Sequence, residues 1–552
     1  MFDISKISFS RYNSYLAVTN WIGKGELGDG IYIRNVKDGD LDLGNLFLLE
    51  LIDDEVVNFT TSPELLTIHG RKGSVKVNFP RGNEIRIKGK GASIKLTLNS
   101  KTYDNAIPNS HGKWEINSYS KEIKVMAVPI EGVLEVDAPW EKDRCEKVEI
   151  ITQKYFSLAL DFYKSVWIEP TRLSFSDETT KVKLEFDSWK SKGLKKESLK
   201  SELAKYCLWS SIVSEYGILK RKASYMSMNW MTNIWSWDNC FAAMSLLDLD
   251  SKLAIDQILI FGDLQDENGA FPDFANNMYS SFSCSKPPIH GWALKWMYEK
   301  NKKEIIPYLN EIYSMLTKWT NYWLKHKVID GIPYYTHGND SGWDNSTIFI
   351  DGAPLAGPDL LTFLILQCDT LSYFAKKLSK PEGEINQWIQ NSENLLNLLL
   401  NKFYKNGKFI GYRYNGEDFI PVKKGDSLVV YMPILLGKKL PSEIRNKLIV
   451  ELKDEHRFLT KFGLSTESKK SQYYRGDGYW RGPIWAPTTM LFIDGILRSG
   501  EAEFANDLAK KYCNLIDQFG FNENHNSITG EGQRDDGFNW TSSVYLILNN
   551  YY

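Results

Sequence analysis

Residues 479–497 read YWRGPIWAPTTMLFIDGIL, in which a loop rich in aromatic residues leads directly into a helical stretch. Apolar residues recur at three- and four-residue spacing over 484–497, as on the buried side of an amphipathic helix. The loop that precedes them contains Arg481 beside Gly482 and Pro483, and the latter two are typical loop residues. This alternation of aromatic loop and amphipathic helix predicts the architecture of the C-terminal part of the chain.

The same helical spacing recurs along the chain after about residue 195. Nine segments show it clearly and three more weakly: 203–213, 241–247, 305–324, 360–375, 385–400, 444–452, 484–497, 502–516 and 540–548, then 252–261, 288–299 and 428–436. About a dozen helices fit two concentric rings of six, which is an (α/α)6 barrel. An α-solenoid gives a similar number of helices, but no fixed-period repeat is present.

The first part of the chain has a different pattern, with short β-rich runs separated by turn residues. These runs are 30–36, 46–52, 74–79, 84–88, 92–98, 122–128 and 148–151. Many short strands with little helical period predict an antiparallel β-sandwich. We therefore expect a β-sandwich domain in 1–180, a linker in 181–200 and a helical barrel in 201–552.

Composition excludes several classes of protein. The chain of 552 residues has a formal net charge of −2, so it has no overall field that would attract nucleic acid or an acidic membrane. No transmembrane run and no signal peptide is visible, which favours a cytoplasmic protein. The six cysteines include no CxxC pair and are expected to be reduced. We expect no cofactor, although the sequence is compatible with a structural calcium ion. The sequence does not determine the oligomeric state.

Five segments between the predicted helices combine acidic residues or arginine with aromatic residues and glycine. We call them loop 1 (235–239, WSWDN), loop 2 (265–273, QDENGAFPD), loop 3 (338–346, GNDSGWDNS), loop 4 (479–485, YWRGPIW) and loop 5 (523–530, ENHNSITG, with 537–541, GFNWT). Singly, each has a structural interpretation: Asp238 and Asp344 could cap local structure, and Arg481 could form an ion pair. Together, polar residues on loops above a rigid scaffold indicate a binding site.

The chemistry of these loops suits the hydrolysis of a glycoside, which needs one protonated and one ionised carboxyl group. Asp344 follows Trp343, and an aromatic, partly dry pocket raises the pKa of a carboxyl group, as a general acid requires. Glu523 lies in an asparagine-rich loop, which we expect to keep it hydrated and ionised, as a general base requires. Aromatic side chains also offer flat faces to the apolar side of a sugar ring.

Loops 3, 4 and 5 resemble glycoside hydrolase family 63, the family of processing α-glucosidase I and of bacterial relatives that include mannosylglycerate hydrolases. The resemblance covers residues 225–552 and implies an (α/α)6 barrel, an inverting mechanism, Asp344 as general acid and Glu523 as general base. It also implies that the sugar pocket is lined by Asp238, Gln265, Tyr479, Trp480 and Arg481. The remaining candidate substrate contacts on these loops are Trp237, Trp343, Asn345, Trp485 and Trp540.

Some residues depart from the family pattern: His525 and Ser527 stand where tyrosine and proline are usual, and Asp340 where glutamate is frequent. These departures leave the substrate open more than the mechanism. We expect an oligosaccharide or small glycoside, with an α-glucoside favoured, and a mannosylglycerate, glucosylglycerate or trehalose-like substrate as alternatives. Glu531 is a second candidate for the base. A sugar epimerase or lyase, and a carbohydrate-binding barrel without catalysis, are the alternatives from other classes.

Overall fold

The computed structural model describes residues 2–193 and 198–552. Its N-terminal part contains two large antiparallel sheets and a small hairpin, β14–β15. The strands are β1 Phe9–Ser10, β2 Leu16–Trp21, β3 Gly30–Asn35, β4 Asn45–Ile52, β5 Val56–Ser62, β6 Leu65–Gly70, β7 Ser74–Arg81, β8 Glu84–Lys90, β9 Ser93–Leu98, β10 Asn105–Pro108, β11 Trp114–Ser118, β12 Ile123–Glu131, β13 Leu134–Asp137, β14 Trp140–Glu141, β15 Arg144–Cys145, β16 Glu149–Thr152 and β17 Tyr155–Tyr163.

One sheet has the strand order β1-β2-β3-β4-β9-β16-β13 and the other has the order β10-β11-β12-β17-β8-β7-β6-β5. Alternate side chains from both sheets meet in one apolar core, to which β8 contributes Ile85 and Ile87 and β9 contributes Ile94 and Leu96. The period of two along each strand places these residues on one face of their sheet. The predicted N-terminal antiparallel β-sheet domain is therefore present.

The C-terminal part is built from helices. Their bounds are α1 Phe175–Lys190, α2 Leu199–Ser210, α3 Asp238–Leu246, α4 Ser251–Asp263, α5 His290–Lys300, α6 Lys302–Ile305, α7 Leu309–Lys325, α8 Pro358–Lys377, α9 Glu382–Leu398, α10 Ser442–Leu452, α11 Ala486–Arg498, α12 Ala502–Phe519 and α13 Asn539–Tyr551. A 3-10 segment, Leu428–Lys439, lies where the weak helical pattern at 428–436 predicts a helix.

Six of these elements contact one another in a closed ring, in the order α3, α5, α8, the segment Leu428–Lys439, α11 and α13, which returns to α3. A second set lies outside this ring: α2 contacts α13, α4 contacts α3, α7 and α9 contact α8, α10 contacts the 3-10 segment, and α12 contacts α11. Helices of the ring such as α8 and α11 are buried on nearly all sides, whereas α12 buries one stripe. This difference is typical of inner and outer helices.

The region predicted as a linker, 181–200, differs from expectation because α1 continues to Lys190 and α2 begins at Leu199. Val182, Phe186 and Trp189 are buried at four- and three-residue spacing on one face of α1. The many charged residues between them hide this helical pattern in the sequence. Residues 194–197 of the predicted linker lie outside the described residues.

Within residues 2–193 and 198–552, no helix combines the length and the hydrophobicity that crossing a lipid bilayer requires.

Candidate active site

Loops 1, 2 and 3 are joined by backbone pairing and by one side-chain hydrogen bond. The short strand Ile234–Trp235, which leads into loop 1, pairs antiparallel with Phe274–Ala275 at the end of loop 2. Asn339 of loop 3 donates its side-chain N–H to a carboxylate oxygen of Asp273 in loop 2 at 2.7 Å. Segments that are far apart in sequence, by 66 residues for Asn339 and Asp273, therefore lie side by side.

Loops 3, 4 and 5 are joined in the same way. The side-chain oxygen of Asn345 accepts a hydrogen bond of 2.9 Å from the backbone N–H of Trp480. The strand Ile484–Trp485 at the end of loop 4 pairs antiparallel with Asn524–His525 at the start of loop 5. These contacts bring Asp344, beside Asn345, to the same end of the helical ring as Glu523.

A cluster of five tryptophans lies at this junction. Trp480 and Trp485 stack face to face with ring centroids 3.9 Å apart, and Trp343 packs 5.1 Å from Trp480. Trp237 of loop 1 meets Trp540 of loop 5 edge to face at 6.2 Å, so the circle of five loops is closed. Such contacts add favourable interaction energy beyond the area that the rings bury.

These tryptophans were expected to contact sugar, but each is at most 5 % exposed, and the facing sides of Trp480 and Trp485 cover each other. Their main role in the structure is therefore to pack the base of the site. The indole N–H groups of Trp343 and Trp480, and one carboxyl oxygen of Asp238, are buried with no hydrogen-bond partner in the protein. Because most buried polar atoms have partners, we expect each of these three atoms to bind an ordered water molecule or a ligand.

Tyr479 of loop 4 is subject to the charges of three carboxyl groups, from loops 1, 3 and 5. Burial first, and then the charges of Glu523, Asp344 and Asp238, raise the pKa of Tyr479 well above its ordinary value. Tyr479 itself has a left-handed backbone with φ of 63°, which is uncommon for a residue with a large side chain and is often found at functional sites. The charges of the two predicted catalytic carboxyl groups thus both act on Tyr479.

The environment of Glu523 differs from the one that the sequence suggested. Its side chain is almost fully buried at 4 % exposure, and burial raises its pKa to about 8, with a further increase from the charge of Asp535. Asp344 is half-buried. The expectation that an asparagine-rich loop keeps Glu523 hydrated is therefore wrong. The indole N–H of Trp540 donates to the backbone carbonyl group of Glu523 at 2.9 Å, and the next residue, Asn524, pairs with Trp485 of loop 4.

Asp238 is the first residue of α3, and its backbone position agrees with the alternative of a helix start. Its carboxyl group is 5 % exposed, and burial raises its pKa to about 8 even though the nearby ammonium group of Lys286 lowers it. At the N-terminus of a helix a carboxylate is favoured by the helix dipole. Asp238 therefore begins a helix, and one of its carboxyl oxygens has no hydrogen-bond partner among the described residues, so it is available to a ligand.

Lys286 is a residue of the site that the sequence did not reveal. Its ammonium nitrogen lies 3.1 Å from a carboxylate oxygen of Asp273 and donates to the backbone carbonyl of Asn339 at 3.1 Å. The carboxylates of Asp273, Asp344 and Asp238 raise its pKa against the opposing effect of burial. The only sequence signal is a charged residue before two prolines in SKPPIH, which is also typical of an exposed turn.

The remaining predicted contacts have identifiable partners. Gln265 donates its side-chain N–H to the carbonyl groups of Gly269 and Met315, so it stabilises its own loop. Arg481 donates its Nε–H to the carbonyl group of Asn345 at 2.6 Å, which ties loop 4 to loop 3. Their contacts with a sugar remain predictions.

The alternative proton-transfer residues are placed less favourably. Glu531 is exposed and accepts a hydrogen bond from Thr529. His525 and His290 are buried against backbone carbonyl groups, and burial lowers their pKa values to about 4 and about 3. Asp340 accepts hydrogen bonds from backbone N–H groups and serves loop structure.

Two carboxyl groups on loops that are joined to each other through loop 4, above a base of packed tryptophans, form the kind of site that glycoside hydrolases use. A family model described as the mannosylglycerate hydrolase MGH1-like glycoside hydrolase domain matches residues 231–541, which is more than half of the chain. The chain belongs to this family, and the resemblance to glycoside hydrolase family 63 is confirmed.

Among curated proteins, the mannosylglycerate hydrolase of Thermus thermophilus is 24 % identical over 170 residues. That alignment covers 31 % of this chain and 39 % of the relative, so the chain matches well under half of the relative's length.

Two solved structures show the same fold. The family 63 mannosylglycerate hydrolase of Thermus thermophilus in complex with Tris aligns with a TM-score of 0.53 and 17 % identity, over 63 % of this chain and 99 % of its own. A bacterial glucoamylase complexed with acarbose aligns with a TM-score of 0.59 and 13 % identity, over 99 % of this chain and 94 % of its own. The second alignment includes the N-terminal sheets as well as the helices.

Proposed function

We propose that the protein is an inverting glycoside hydrolase that cleaves an α-glycosidic bond, with an α-glucoside as the favoured substrate. The observation that carries this proposal is that loop 4 is joined to loop 3 beside Asp344 and to loop 5 beside Glu523. The charges of both carboxyl groups and of Asp238 also act on Tyr479 of loop 4. Two carboxyl groups on either side of one sugar position supply both proton transfers of the reaction, so no cofactor is needed.

The proposed scaffold is an (α/α)6 barrel within residues 201–552, preceded by the β-sheet domain of residues 1–180. The closed ring of six inner elements, five of which are contacted by a helix of the second set, supports this architecture. In such a barrel the loops between inner and outer helices meet at one end. Rigid helices then hold the chemical groups on those loops in place.

In the proposed mechanism, Asp344 gives its proton to the glycosidic oxygen as the bond to the anomeric carbon breaks. Glu523, as carboxylate, takes a proton from water, whose oxygen attacks the anomeric carbon from the opposite face. An α-linked substrate then yields the β-anomer. The half-buried Asp344 suits contact with a departing aglycone, whereas the buried Glu523 suits a single enclosed water molecule.

The role of Glu523 has a consequence for pH, because burial raises the pKa of this carboxyl group to about 8. A base must be ionised in the free enzyme, so kcat/KM should increase with pH up to about this value. The negative charge of Asp535 raises the pKa of Glu523, which makes its carboxylate a stronger base. The same effect lowers the fraction of Glu523 that is ionised at a given pH. A cationic transition state at the anomeric carbon would favour the ionised form.

A substrate with an acidic aglycone, such as a hexosyl glycerate, is the second candidate. The guanidinium group of Arg534 lies 5.6 Å from the ring centroid of Tyr479 and interacts with Glu523. Arg534 is exposed, so its guanidinium group is accessible to a carboxylate, for which its planar fork is well suited. The family model that the chain matches also favours this class.

The decisive experiment follows the anomeric proton by NMR while the enzyme hydrolyses a panel of α-glucosides, α-mannosides, trehalose, mannosylglycerate and glucosylglycerate. The proposal expects hydrolysis of at least one α-linked substrate and the β-anomer as first product. Initial α-anomer would overturn the inverting mechanism. If Arg534→Met loses hydrolysis of the glycerate substrates but keeps hydrolysis of the others, the result favours the second candidate, an acidic aglycone.

A further inference from the structure

A buried arginine connects the β-sheet domain to the segment that supports Glu523. Arg34 lies on β3 and has no exposed surface. Its guanidinium group donates to the carbonyl group of Met228 at 2.7 Å and to the carbonyl group of Asn229, both of which lie between α2 and α3. It also donates to the hydroxyl group of Thr19 at 3.0 Å and stacks 4.7 Å from the ring centroid of Trp21.

Asn229 continues this connection toward loop 5. Its side-chain N–H groups donate to a carboxylate oxygen of Asp535 at 3.2 Å and to the carbonyl group of Asp536 at 2.8 Å. Its side-chain oxygen accepts the backbone N–H of Ser8, just before β1, at 3.2 Å. Ser227 donates its hydroxyl to Asp535 as well. Asn229 is thus bonded to the β-sheet domain on one side and to loop 5 on the other.

Asp535 makes the last contact, with Glu523 itself. The backbone carbonyl group of Asp535 accepts the backbone N–H of Glu523 at 2.8 Å, and the charge of its carboxyl group raises the pKa of Glu523. The connection from Arg34 to Glu523 therefore consists of hydrogen bonds through Asn229 and Asp535, all buried.

The guanidinium group of Arg34 is held in position by hydrogen bonds to uncharged backbone carbonyl groups. The charges of Asp535 and Asp42 raise its pKa, but burial outweighs them and lowers the value to about 9. A buried guanidinium group needs acceptors for its N–H groups, and here the carbonyl groups of Met228 and Asn229 and that of Leu43, at 2.6 Å, supply them. If Arg34 is removed, the first two carbonyl groups lose this donor and can move.

We infer that Arg34 is a positioning residue through which the β-sheet domain sets the position of Glu523. This inference rests on the proposed function, in which Glu523 activates water. It gives the β-sheet domain a task in catalysis beyond packing against the helices. It also explains why a charged side chain is tolerated in the middle of β3, where an apolar residue would pack at lower cost.

The test compares Arg34→Met with the matched control Arg86→Met. Arg86 lies on β8, is 2 % exposed, donates to Ser157 of β17 and has its charged neighbours in the β-sheet domain and α1. Both substitutions remove a buried guanidinium group from the same domain. Only Arg34 contacts the segment that leads to Glu523. If Arg34→Met does not fold, Asn229→Ser removes the bonds to Asp535 and Asp536 from the other side of the connection.

Arg34→Met is expected to lower kcat by up to about 100-fold, with a much smaller change in KM, because a base displaced by about 1 Å activates water poorly. The loss should be similar for substrates with good and poor leaving groups, and Arg34→Lys should restore part of it. Arg86→Met should keep kcat per folded molecule. Equal losses in both variants, or an unchanged kcat in Arg34→Met, would overturn the inference.

Amide hydrogen exchange separates this inference from the proposed function. Peptides that cover 226–231 and 523–536 should exchange faster in Arg34→Met than in the wild type and in Arg86→Met, whether or not a substrate is known. If the wild-type protein hydrolyses no glycoside but exchange changes in this way, the proposed function fails and the structural connection stands. If exchange at these peptides is the same in all three proteins, the connection itself is refuted.

Discussion

Substitution of Lys286 by methionine tests whether the positive charge at the centre of the site is essential to its structure. Lys286 and Asp273 form an ion pair of 3.1 Å, and both side chains are only 6 % exposed. Methionine has a similar length and no charge, so the substitution mainly removes the ammonium group. The carboxyl groups of Asp273, Asp344 and Asp238 would then lose this neighbouring cation.

The expected magnitude follows from the distance and the burial. Two unit charges 3.1 Å apart attract by about 5 kcal/mol at an effective dielectric constant of about 20. Breaking a buried pair from one side leaves the other charge uncompensated, and such changes cost about 3–5 kcal/mol in the free energy of unfolding. Asp273→Asn should cost less, because Lys286 keeps the carboxyl group of Asp344 as a neighbour.

The assay is urea unfolding followed by tryptophan fluorescence, which reports on the cluster beneath the site. The double variant Lys286→Met/Asp273→Asn should lose less stability than the sum of the two single variants, by several kcal/mol. Lys252→Met is the control: its ion pair with Asp256 is as short, 2.6 Å, but Lys252 is 70 % exposed, so its loss should cost about 1 kcal/mol or less. Additive single effects, or a cost for Lys286→Met as small as the control, would refute the reasoning.

The other predictions concern the carboxyl groups and the packing of the loops. Glu523→Gln should abolish turnover on all substrates, whereas the activity of Asp344→Asn should be partly rescued by substrates with good leaving groups. Steady-state kinetics would measure both. Equal rescue of the two variants would contradict the assignment of Asp344 as acid and Glu523 as base. Since burial raises the pKa of Glu523 from 4.5 to about 8, the folded protein keeps a proton that the unfolded chain releases. The contribution of Glu523 to stability therefore falls as pH rises through this window, and denaturant titrations should show a shallower pH dependence in Glu523→Gln. Asp238→Asn should leave thermal stability at pH 7 nearly unchanged, because the carboxyl group with a pKa of about 8 is already largely neutral, but should lower kcat/KM. Gly342→Ala should lower the free energy of unfolding by about 1–3 kcal/mol, since φ is +72° and a Cβ atom would lie 2.6 Å from the ring of Trp237; a melting temperature equal to that of the wild type would contradict this.

Local pattern was sufficient for much of the fold. The period of two along β8 and β9 predicts strands whose alternate residues are buried, as Ile87 and Leu96 are. The period of three and four residues over 484–497 predicts α11, which is observed as Ala486–Arg498. Helix α1 was missed because its buried stripe, Val182, Phe186 and Trp189, is narrow and lies among many charged residues.

The sequence alone determined the kinds of element, their order and the five loops that carry acidic and aromatic residues, because these depend on neighbours within a few positions of each other. Only the tertiary structure decided which groups are deprived of water and which charges meet. Lys286 became part of the site through Asp273, and Glu523 became buried through Trp540 and loop 4. A pKa depends on burial and on nearby charge, and at this site both come from residues that are distant in sequence and are brought together only when the ring of helices closes.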